Sequence, residues 1–417
     1  MQVKLAVVGV GGRGRAYARW ALEHPEIATV VAVAEPRRHV REAFADLHGI
    51  DPRHRYTDWR ELLSGGRVAD AVMICTQDRL HTEPAIAFAD DGWHVLLEKP
   101  MAPTPEECER IVAAAHRGGG VFAVCHVLRY TPYTKALKQI VDSGDIGDVV
   151  SVQHLEPVGY WHFAHSYVRG PWRNEAESSP MLLAKSCHDL DWLRHIVGRP
   201  FQRVSSFGGR RHFRPESAPE GSGTRCITCT VEPTCPYSAK RLYSEALLNK
   251  TFSVHHVLDV LDDPHLEKAL QDGPYGQCVY HADNDVVDHQ VVNMEFAGGI
   301  TGSFTVTGFT PFEDRKTRIF GSHGSIEGDG EQVRVYDFLT EKTTITKAKT
   351  TGVGAGAGHG GGDAGLVEAF VRAVAEEDQS LVLSGPDESL ETHLAVFAAE
   401  RARLDGTVET LTTKRST

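Results

Sequence analysis

The sequence predicts an α/β protein with a doubly wound parallel sheet at its amino-terminal end and a second domain with antiparallel strands after it. Between residues 3 and 126, short apolar runs alternate with helical patterns, which is typical of a parallel sheet covered by helices on both faces. From residue 149 the alternation stops, and the stretches VVSVQHLEPV and QVVNMEFAGGITGSFTVTGF have the period of two that indicates antiparallel strands. A length of 417 residues also favours two domains.

The composition excludes several classes of protein. Hydrophobic residues make up 41% and charged residues 24% of the chain, close to globular averages, and no apolar run approaches the roughly 20 residues that span a bilayer. The apolar run after Met1 lacks the basic flank and cleavage site of a secretory signal. We therefore expect a soluble, cytoplasmic protein with no membrane partner. A net charge of −12 argues against a nucleic-acid partner.

A glycine-rich loop follows the first predicted strand and leads directly into a helical pattern. In GVGGRG the spacing G-x-G-x-x-G allows Gly9 to make a tight turn, Gly11 to let the backbone approach a pyrophosphate, and Gly14 to let the helix pack on the strand. The helix amino terminus would face the phosphates. The predicted cofactor contacts of this loop are Gly9, Gly11, Gly12, Arg13 and Gly14.

The second predicted strand, TVVAVAEP, decides between the two nicotinamide dinucleotides. It ends in Glu35, about 20 residues after the glycines, where an acidic side chain can accept hydrogen bonds from a ribose diol. This favours NAD. Arg37 and Arg38 follow immediately and could instead meet the 2′-phosphate of NADP, or simply begin a solvated helix.

The remaining elements of this half predict a crevice at one edge of the sheet. They are helix 38–47, strand 70–76, helix 81–92, strand 94–100, helix 104–118 and strand 121–126. Ligands on doubly wound sheets bind beyond the carboxyl ends of the strands. We therefore expect the residues at or just after these ends to contact the cofactor: Cys75, Thr76, Gln77, His81, Glu98, Lys99 and His126.

The EKP motif at the end of the 94–100 strand contains a candidate catalytic lysine. An ordinary surface turn would explain Lys99 by itself, but its position opposite the glycine loop places it in a partly dry cleft. Burial there can lower the pKa of a lysine and let it exchange protons with a substrate hydroxyl. Pro100 would define the turn that aims it, through a cis bond if one is present.

Four motifs in a fixed order identify a resemblance. GVGGRG, ICTQDRLH, LLEKPMAPT and GDIGDVVSV resemble the Gfo/Idh/MocA family of glucose-fructose oxidoreductase and inositol dehydrogenase, over most of the chain. The resemblance implies an amino-terminal Rossmann domain, a carboxyl-terminal α/β domain with a large, mostly antiparallel sheet for substrate and homo-oligomer contacts, and redox chemistry at a sugar or cyclitol carbinol. It also implies that Lys99 lies at the active site. We expect an NAD domain at 1–127 and a substrate domain at 128–417.

The stretch MLLAKSCHDLDWLRHIVG predicts one helix that carries the candidate base. Lys185 and His188 are three residues apart and would share a face. Dehydrogenases of the resembled family usually have an aspartate four residues before this histidine and another three after it; here those positions are Ala184 and Asp191. Two lysines near one imidazole would keep it neutral. We predict His188 as general base, with Lys99 and Lys185 stabilising an alkoxide or holding an anionic substrate.

A loop rich in aromatic and basic residues, YWHFAHSYVRGPWR, is the candidate substrate wall. Aromatic faces and forked donors suit the C–H face and hydroxyls of a sugar, although a surface loop packed by its own aromatic rings is an equal alternative. The predicted substrate contacts are Arg129, Tyr130, Trp161, His162, His165, Tyr167, Arg169, Trp172 and Lys185.

The carboxyl-terminal end begins with a glycine tract. In GVGAGAGHGGGDAGLVEAF, His359 and Asp363 could border the pocket, or the tract could be a mere linker. Asp363 is a plausible N-cap for a helix at 364–376. The last pattern, DESLETHLAVFAAERARL, predicts an amphipathic helix that packs back on the body.

An insert at about 205–282, outside the resembled family pattern, carries a cysteine cluster. Cys226, Cys229 and Cys235 have C-x2-C-x5-C spacing, and Cys278, or His281 in its place, could complete a tetrahedral site. A structural zinc and simple reduced thiols explain the spacing equally well. An iron–sulfur cluster is the weaker alternative.

Three functions remain open at the level of sequence. The first is oxidation of a sugar ring carbinol, at C3, by hydride transfer to NAD. The second is redox-neutral glycoside hydrolysis through transient C3 oxidation and elimination, on a neutral or an anionic sugar, since some relatives of the resembled family look like NAD-dependent glycosidases. The third is a non-catalytic cofactor-binding sensor, suggested by Ala184 and opposed by the joint presence of Lys99 and His188.

Overall fold

The computed structural model describes residues 2–251, 253–348 and 359–411. The part of the predicted glycine tract before His359 lies outside the described residues. No helix within these ranges is long and apolar enough to cross a membrane.

A doubly wound parallel sheet forms from the amino-terminal part of the chain, as predicted. Its strands are β1 (Val3–Val8), β2 (Ala28–Ala34), β3 (Arg55–Tyr56), β4 (Ala71–Ile74), β5 (His94–Leu97) and β6 (Phe122–Val124). Their order is β3-β2-β1-β4-β5-β6, with every pair parallel. The chain reverses its direction of winding between β1 and β4, which opens a crevice at their carboxyl ends.

Six helices flank this sheet and connect it to the second half of the protein. They are α1 (Gly12–Glu23), α2 (Arg38–His48), α3 (Trp59–Ser64), α4 (Thr82–Asp90), α5 (Pro105–Gly118) and α6 (Pro132–Ser143). Local sequence sets their ends: Thr104 caps α5 by accepting a hydrogen bond from the Glu107 amide, and Pro105 occupies the first turn. The short β3 and α3 were not predicted, because two strand residues are too few to show a period.

The second sheet is large and mostly antiparallel, also as predicted. It consists of β7 (Val149–Pro157), β8 (Phe201–Gly209), β9 (His289–Phe296), β10 (Ile300–Thr307), β11 (Lys316–Gly321), β12 (Gly324–Gly328), β13 (Gln332–Asp337), β14 (Thr343–Lys347) and β15 (Val408–Thr410). The order is β14-β13-β12-β11-β7-β10-β9-β8-β15. Among the described strands of this sheet, β7 and β10 alone pair in parallel.

The helix predicted over 181–198 is in fact two helices. The helical segments of this half are α7 (Tyr160–Phe163), which continues as a π-helix (Ala164–Arg169), α8 (Met181–Ala184), α9 (Cys187–Val197), α10 (Ala239–Asn249), α11 (Asp263–Asp272), α12 (Gly362–Glu376) and α13 (Pro386–Asp405). Lys185 and Ser186 separate α8 from α9, with Ser186 at φ −102° and ψ 7°. The predicted shared helical face of Lys185 and His188 is therefore not formed.

The carboxyl-terminal helices pack back on the body of the protein. Leu366 and Phe370 of α12 lie in one apolar cluster with Leu5 of β1, so this helix helps to cover the amino-terminal sheet. α13 contacts α5, α9 and β8. It is not one-sidedly amphipathic as predicted, because residues 395–399 are all buried. The insert has a separate apolar core that includes Tyr243 and Leu270.

Candidate active site

The glycine loop leaves an open cradle at the amino terminus of α1. Gly9 has φ +86°, and a Cβ there would lie 2.8 Å from the carbonyl oxygen of Cys75, while a Cβ on Gly14 would lie 2.2 Å from the Gly9 oxygen. A Cβ on Gly11 or Gly12, in contrast, would meet nothing within 4 Å. The first amides of a helix have no intrahelical partners, so the open space beside them fits a pyrophosphate.

Glu35 lies just beyond β2 and connects this cradle to Arg37. It is 2% exposed, and its carboxylate accepts hydrogen bonds from the Val10 amide at 3.0 Å and from Nε of Arg37 at 2.8 Å. Burial works against ionisation, but the hydrogen bonds from Arg37 and Val10 hold the pKa of Glu35 below its ordinary value. The carboxylate is therefore ionised and able to accept further hydrogen bonds from a ribose.

Arg13 and Glu98 bind each other. Nε of Arg13 lies 2.8 Å from a carboxylate oxygen of Glu98, and a terminal nitrogen of the same guanidinium lies 2.6 Å from a carboxylate oxygen of Asp363. The Tyr17 hydroxyl also donates to Glu98, at 2.9 Å. Asp363 lies inside the first turn of α12, with Gly361 rather than Asp363 at the N-cap position. Asp363 accepts a hydrogen bond from His359 at 3.0 Å, and the His359 ring lies 6.2 Å from that of His188, so these residues join the glycine loop to the start of α12 beside the candidate base.

Two other predicted cofactor residues, His81 and His126, are buried around the strand ends. His81 is fully buried, with its nitrogens 2.8 Å from the Pro100 carbonyl and 3.1 Å from the Thr76 carbonyl. His126 is equally buried and lies 3.5 Å from Asp191. His81 thus joins two backbone segments, whereas neither ring nitrogen of His126 has a hydrogen-bond partner among the described residues. Gln77 is exposed at the mouth of the crevice.

Lys99 is fixed by the break between α8 and α9. The last carbonyls of a helix have no intrahelical partner, and Nζ of Lys99 donates to the carbonyl of Ala184, the final residue of α8, at 2.7 Å. The Lys99–Pro100 peptide bond is cis. The position that would carry the family aspartate thus contributes its backbone oxygen to the catalytic candidate.

His188, the candidate base, follows the same break. It is 5% exposed, and its buried Nδ1 has no hydrogen-bond partner among the described residues. Burial, followed by the nearby cation Lys99 and by His126, lowers the pKa of His188 well below 6.5. The imidazole is therefore neutral at pH 7, and an unpaired buried nitrogen is costly unless a ligand uses it.

Lys185 is neutralised by a buried charge network that the sequence analysis missed. Its Nζ lies 3.0 Å from Glu156, which also binds Nε of Arg315 at 2.9 Å. Arg315 in turn binds Asp189, and His154 lies 3.3 Å from that carboxylate. Lys185, the second cation expected beside His188, is thus paired with the carboxylate of Glu156 in β7.

A signal for this network was present in β7. Residues 152, 154 and 156 are the buried positions of the strand and alternate with more exposed ones, so they should be apolar if they only filled a core. Two of them are His154 and Glu156. Polar residues at core positions of a strand indicate a site.

The aromatic loop YWHFAHSYVRGPWR contains two groups of residues. One group lies beside the charge network of Lys185 and Glu156, and the other contacts the insert. Trp161 and His162 pack against Phe312 at ring distances of 5.1 and 5.4 Å. Burial and the nearby Lys185 lower the pKa of His162 to about 3. Tyr167 is buried close to Glu156. His162 and Tyr167 thus lie near the Lys185–Glu156 pair, and the half-buried Trp172 packs on Tyr167 at 6.3 Å.

Four predicted substrate residues form hydrogen bonds to other parts of the protein. Arg129 is fully buried and bidentate on Asp191 at 2.7 Å, and the Tyr130 hydroxyl bonds Ser384 at 2.9 Å. His165 bonds the Tyr243 hydroxyl of the insert at 2.8 Å, and Arg169 donates to two insert carbonyls. These polar groups are thus bonded inside the protein, although one terminal nitrogen of Arg169 has no hydrogen-bond partner among the described residues.

The cysteine insert forms no metal centre as it stands. Cys226, Cys229, Cys235 and Cys278 are free thiols that line one small cavity. Within the described ranges, no group of three or more histidine, cysteine or carboxylate side chains is arranged to hold a metal ion. His281 contacts Ser222 at 3.5 Å.

Comparison with known proteins agrees with this geometry. Residues 3–126 match the profile described as "Oxidoreductase family, NAD-binding Rossmann fold". Residues 138–393, more than half of the chain, match its partner profile, "Oxidoreductase family, C-terminal alpha/beta domain". The chain belongs to the Gfo/Idh/MocA oxidoreductase family. The predicted family, fold class and enzymatic character are therefore confirmed.

Individual relatives of this family resemble parts of the chain. Inositol 2-dehydrogenase of Klebsiella pneumoniae is 34% identical over 208 residues, which is 49% of this chain and 57% of the relative. The 2,7-anhydro-N-acetylneuraminate hydratase of Escherichia coli is 28% identical over 207 residues, 50% of this chain and 53% of the relative. The chain thus matches little more than half the length of these two relatives.

Solved structures of the family share the whole fold. A levoglucosan dehydrogenase in complex with NADH and levoglucosan superposes with a TM-score of 0.70 and 18% identity, over 98% of this chain and 99% of that one. At this identity the likeness concerns the fold.

Proposed function

We propose that this protein is an NAD-dependent oxidoreductase that acts on a ring carbinol of a sugar, at C3. The observation that carries the proposal is the buried, neutral His188, whose Nδ1 lacks a partner among the described residues and which lies near Lys99. A neutral imidazole in a dry site is suited to take the proton of a hydroxyl at pH 7.

The cofactor fits the amino-terminal crevice. The open space at Gly11 and Gly12 would receive the pyrophosphate, and the ionised carboxylate of Glu35 would accept hydrogen bonds from the ribose hydroxyls. NAD, when bound, supplies the hydride acceptor. Arg37, 56% exposed and bound to Glu35, would turn away from the carboxylate as the ribose enters, and NAD would be preferred over NADP.

We assign proton transfer to His188 and charge stabilisation to Lys99. His188 would accept the hydroxyl proton as the substrate carbon is oxidised, and the ammonium of Lys99 would stabilise the developing negative charge on that oxygen. Lys185 lies farther along the same wall and is balanced by Glu156 at 3.0 Å. We assign Lys185 to orienting substrate hydroxyls or an anionic substituent, together with Trp161 and Tyr167.

A redox-neutral reaction on a glycoside is the second candidate. Its support is the likeness to a relative named as a 2,7-anhydro-N-acetylneuraminate hydratase, a lyase-type name within an oxidoreductase family. Transient oxidation at one ring carbon acidifies the neighbouring C–H, so that a C1 substituent can be eliminated and water added without net consumption of the cofactor. The Lys185–Glu156 pair could serve the additional proton transfers of such a cycle.

A proton NMR time course in heavy water would separate the candidates. NAD and a panel of neutral and anionic sugars and glycosides would be incubated with the protein. Stoichiometric NADH and a keto sugar support the dehydrogenase, whereas free sugar deuterated at C2 without net NADH supports the glycosidase. His188→Asn is expected to lower turnover at least ~100-fold with NAD affinity unchanged. Tight NAD binding with no turnover of any sugar would favour the sensor.

We also propose the domain boundaries of the sequence analysis, 1–127 and 128–417, and a homo-oligomer. The second sheet supports the oligomer, because exposed apolar side chains lie along its strands, including Val150, Phe207 and Val408 at 54%, 68% and 63% exposure. A solution mass above the 45.8 kDa of one chain would agree with it.

A further inference from the structure

The insert brings four cysteines to one small cavity. Cys226, Cys229 and Cys235 come from one loop, and Cys278 comes from the far end of the insert; all four line a cavity of about 10 Å³. That volume is close to one water-sized sphere. Cys226 and Cys278 are buried, and the other two are half-buried. A space for one atom surrounded by four thiols is unusual for groups that only fill a core.

Backbone donors already point at three of these sulfurs. The Gly223 amide donates to Sγ of Cys229 at 3.3 Å. The amide of Tyr237 donates to Cys235, and that of Tyr280 to Cys278, in each case from two residues further along the chain. Amide donors strengthen as hydrogen-bond partners when the sulfur is anionic, and donors around the ligating atoms orient and tune a metal site.

Arg169 supplies a buried positive charge at the same cavity. It is 1% exposed, lines the cavity, and places one guanidinium nitrogen 3.6 Å from Sγ of Cys226. Its other terminal nitrogen has no hydrogen-bond partner among the described residues. Although Glu232 also lines the cavity, no described carboxylate forms an ion pair with this buried guanidinium, and burying an unpaired charge is costly. Four thiolates around a divalent ion carry a net charge of −2 and would compensate it.

We propose that Cys226, Cys229, Cys235 and Cys278 bind one divalent, thiophilic metal ion, with zinc as the best match. Binding releases four thiol protons and forms four metal–sulfur bonds of about 2.3 Å. The thiols are not gathered at coordinating distance of one point in the described structure. Closing the site therefore requires their side chains to rotate into the cavity that they already line.

The size of the cavity argues for a single ion. An iron–sulfur cluster also takes four cysteines, but it contains several iron and sulfide atoms, and the cavity of about 10 Å³ holds roughly one atom. A lone ion needs no additional volume beyond the rotation of the thiols.

The metal would organise one wall of the active site. Arg169 donates to the carbonyls of Gln277 and Tyr237, each at 2.8 Å, and so clamps the chain beside Cys278 and Cys235. The same residue ends the π-helix that contains Tyr167. A closed metal site would thus fix the start and end of the insert against the proposed substrate wall.

The test is metal analysis of untagged, full-length protein that has not been in contact with a metal-affinity resin. We expect about one zinc per chain, and after exchange with Co²⁺ we expect the thiolate-to-cobalt charge-transfer bands of a tetrahedral tetrathiolate site. Cys235→Ser should lower zinc content and affinity at least ~10-fold. Cys108→Ser is the matched control, since Cys108 is a buried thiol outside the insert, and it should retain the metal.

Three outcomes would overturn the proposal. One is folded wild-type protein that binds neither zinc nor cobalt stoichiometrically when either is added. Another is full zinc content in Cys235→Ser, which would locate the ion elsewhere. The third is iron with acid-labile sulfide, which would mean a cluster. If Cys235→Ser does not fold, the cobalt spectrum of the wild-type protein decides by itself between thiolate and other ligands. None of these readouts depends on the proposed enzymatic activity.

Discussion

At the scale of single residues, His188 differs from an ordinary core histidine in what surrounds it. Its ring lies 5.9 Å from that of His126 and 6.2 Å from that of His359. A core histidine usually has both nitrogens satisfied, but Nδ1 of His188 has no partner among the described residues. Nδ1 of His188 is therefore available to form a hydrogen bond with a ligand.

This environment predicts the acid limb of the pH profile. Burial, Lys99 and His126 lower the pKa of His188 below 6.5, and the neutral form is the base. Activity should therefore persist as the pH falls through 6.5 and be lost only at lower pH, where the imidazole gains a proton. The measurement is kcat/KM between about pH 5 and 9, with NAD saturating and protein stability checked at each pH.

An acid limb centred at or above pH 6.5 would contradict the assignment of His188 as the base. A control is available in His162, whose pKa is also lowered, to about 3. His162→Asn should leave the position of the acid limb unchanged, because His162 is not the proposed base.

At the scale of elements, two local interruptions build the site. The glycine loop between β1 and α1 leaves an open cradle, and the break between α8 and α9 frees the Ala184 carbonyl for Lys99. Both depend on backbone geometry rather than on side-chain chemistry. Substitutions that add a single carbon therefore test the first of them directly.

Gly11→Ala and Gly14→Ala should have opposite effects on stability and binding. A Cβ at Gly14 would lie 2.2 Å from the Gly9 carbonyl oxygen, so Gly14→Ala should destabilise the fold by about 1–3 kcal/mol. A Cβ at Gly11 meets nothing within 4 Å. Gly11→Ala should leave the melting temperature nearly unchanged and weaken NAD binding about tenfold or more, because the close approach of the pyrophosphate is blocked.

Thermal unfolding and NAD titration of both variants provide the comparison. Equal NAD affinity for Gly11→Ala and the wild-type protein would mean that the pyrophosphate does not bind at this cradle. An unchanged melting temperature for Gly14→Ala would mean that α1 can move away from the Gly9 carbonyl oxygen at little cost.

At the scale of the whole molecule, the amino-terminal sheet is completed by the carboxyl-terminal part of the chain. Leu366, Phe370 and Val374 of α12 are buried in the same cluster as Leu5 and Val7 of β1. The domain boundary predicted at residue 127 assigns β1 and α12 to different domains, although they pack together. The amino-terminal segment by itself would expose the apolar surface that α12 covers.

We therefore expect residues 1–127 expressed alone to aggregate or to unfold without a cooperative transition. The matched control is the same segment joined through a flexible linker to residues 359–376, which restores the α12 contacts and should fold cooperatively. Thermal denaturation followed by circular dichroism compares the two. Cooperative unfolding of residues 1–127 alone, at the temperature of the full chain, would make α12 dispensable for this domain.

Much of the fold could be predicted because its sequence signals are local. Alternation of strands and helices, the glycine spacing and the caps of helices such as α5 all act over a few residues. The position of Glu35 after β2 follows from the same local order. These features are readable because each is set by backbone geometry within one element and its neighbours.

The roles of charged side chains could not be read in this way. Arg129 and Arg169 were predicted to hold substrate, but their partners are 62 and 108 residues away in sequence. Glu156, which neutralises Lys185, and Arg315, which binds Glu156, come from strand regions that only the second sheet brings together. Whether a charged side chain is available to a ligand depends on the opposite charges beside it. Those charges come from residues that are far away in sequence.

The sequence by itself thus determined the family, the doubly wound sheet, the cofactor cradle and the candidate base, since these depend on short patterns. The tertiary structure alone decided which cations are paired with carboxylates, which histidines are buried, and which four thiols share a cavity. Those outcomes depend on burial and on pairing across distant segments, and both arise only when the chain has packed.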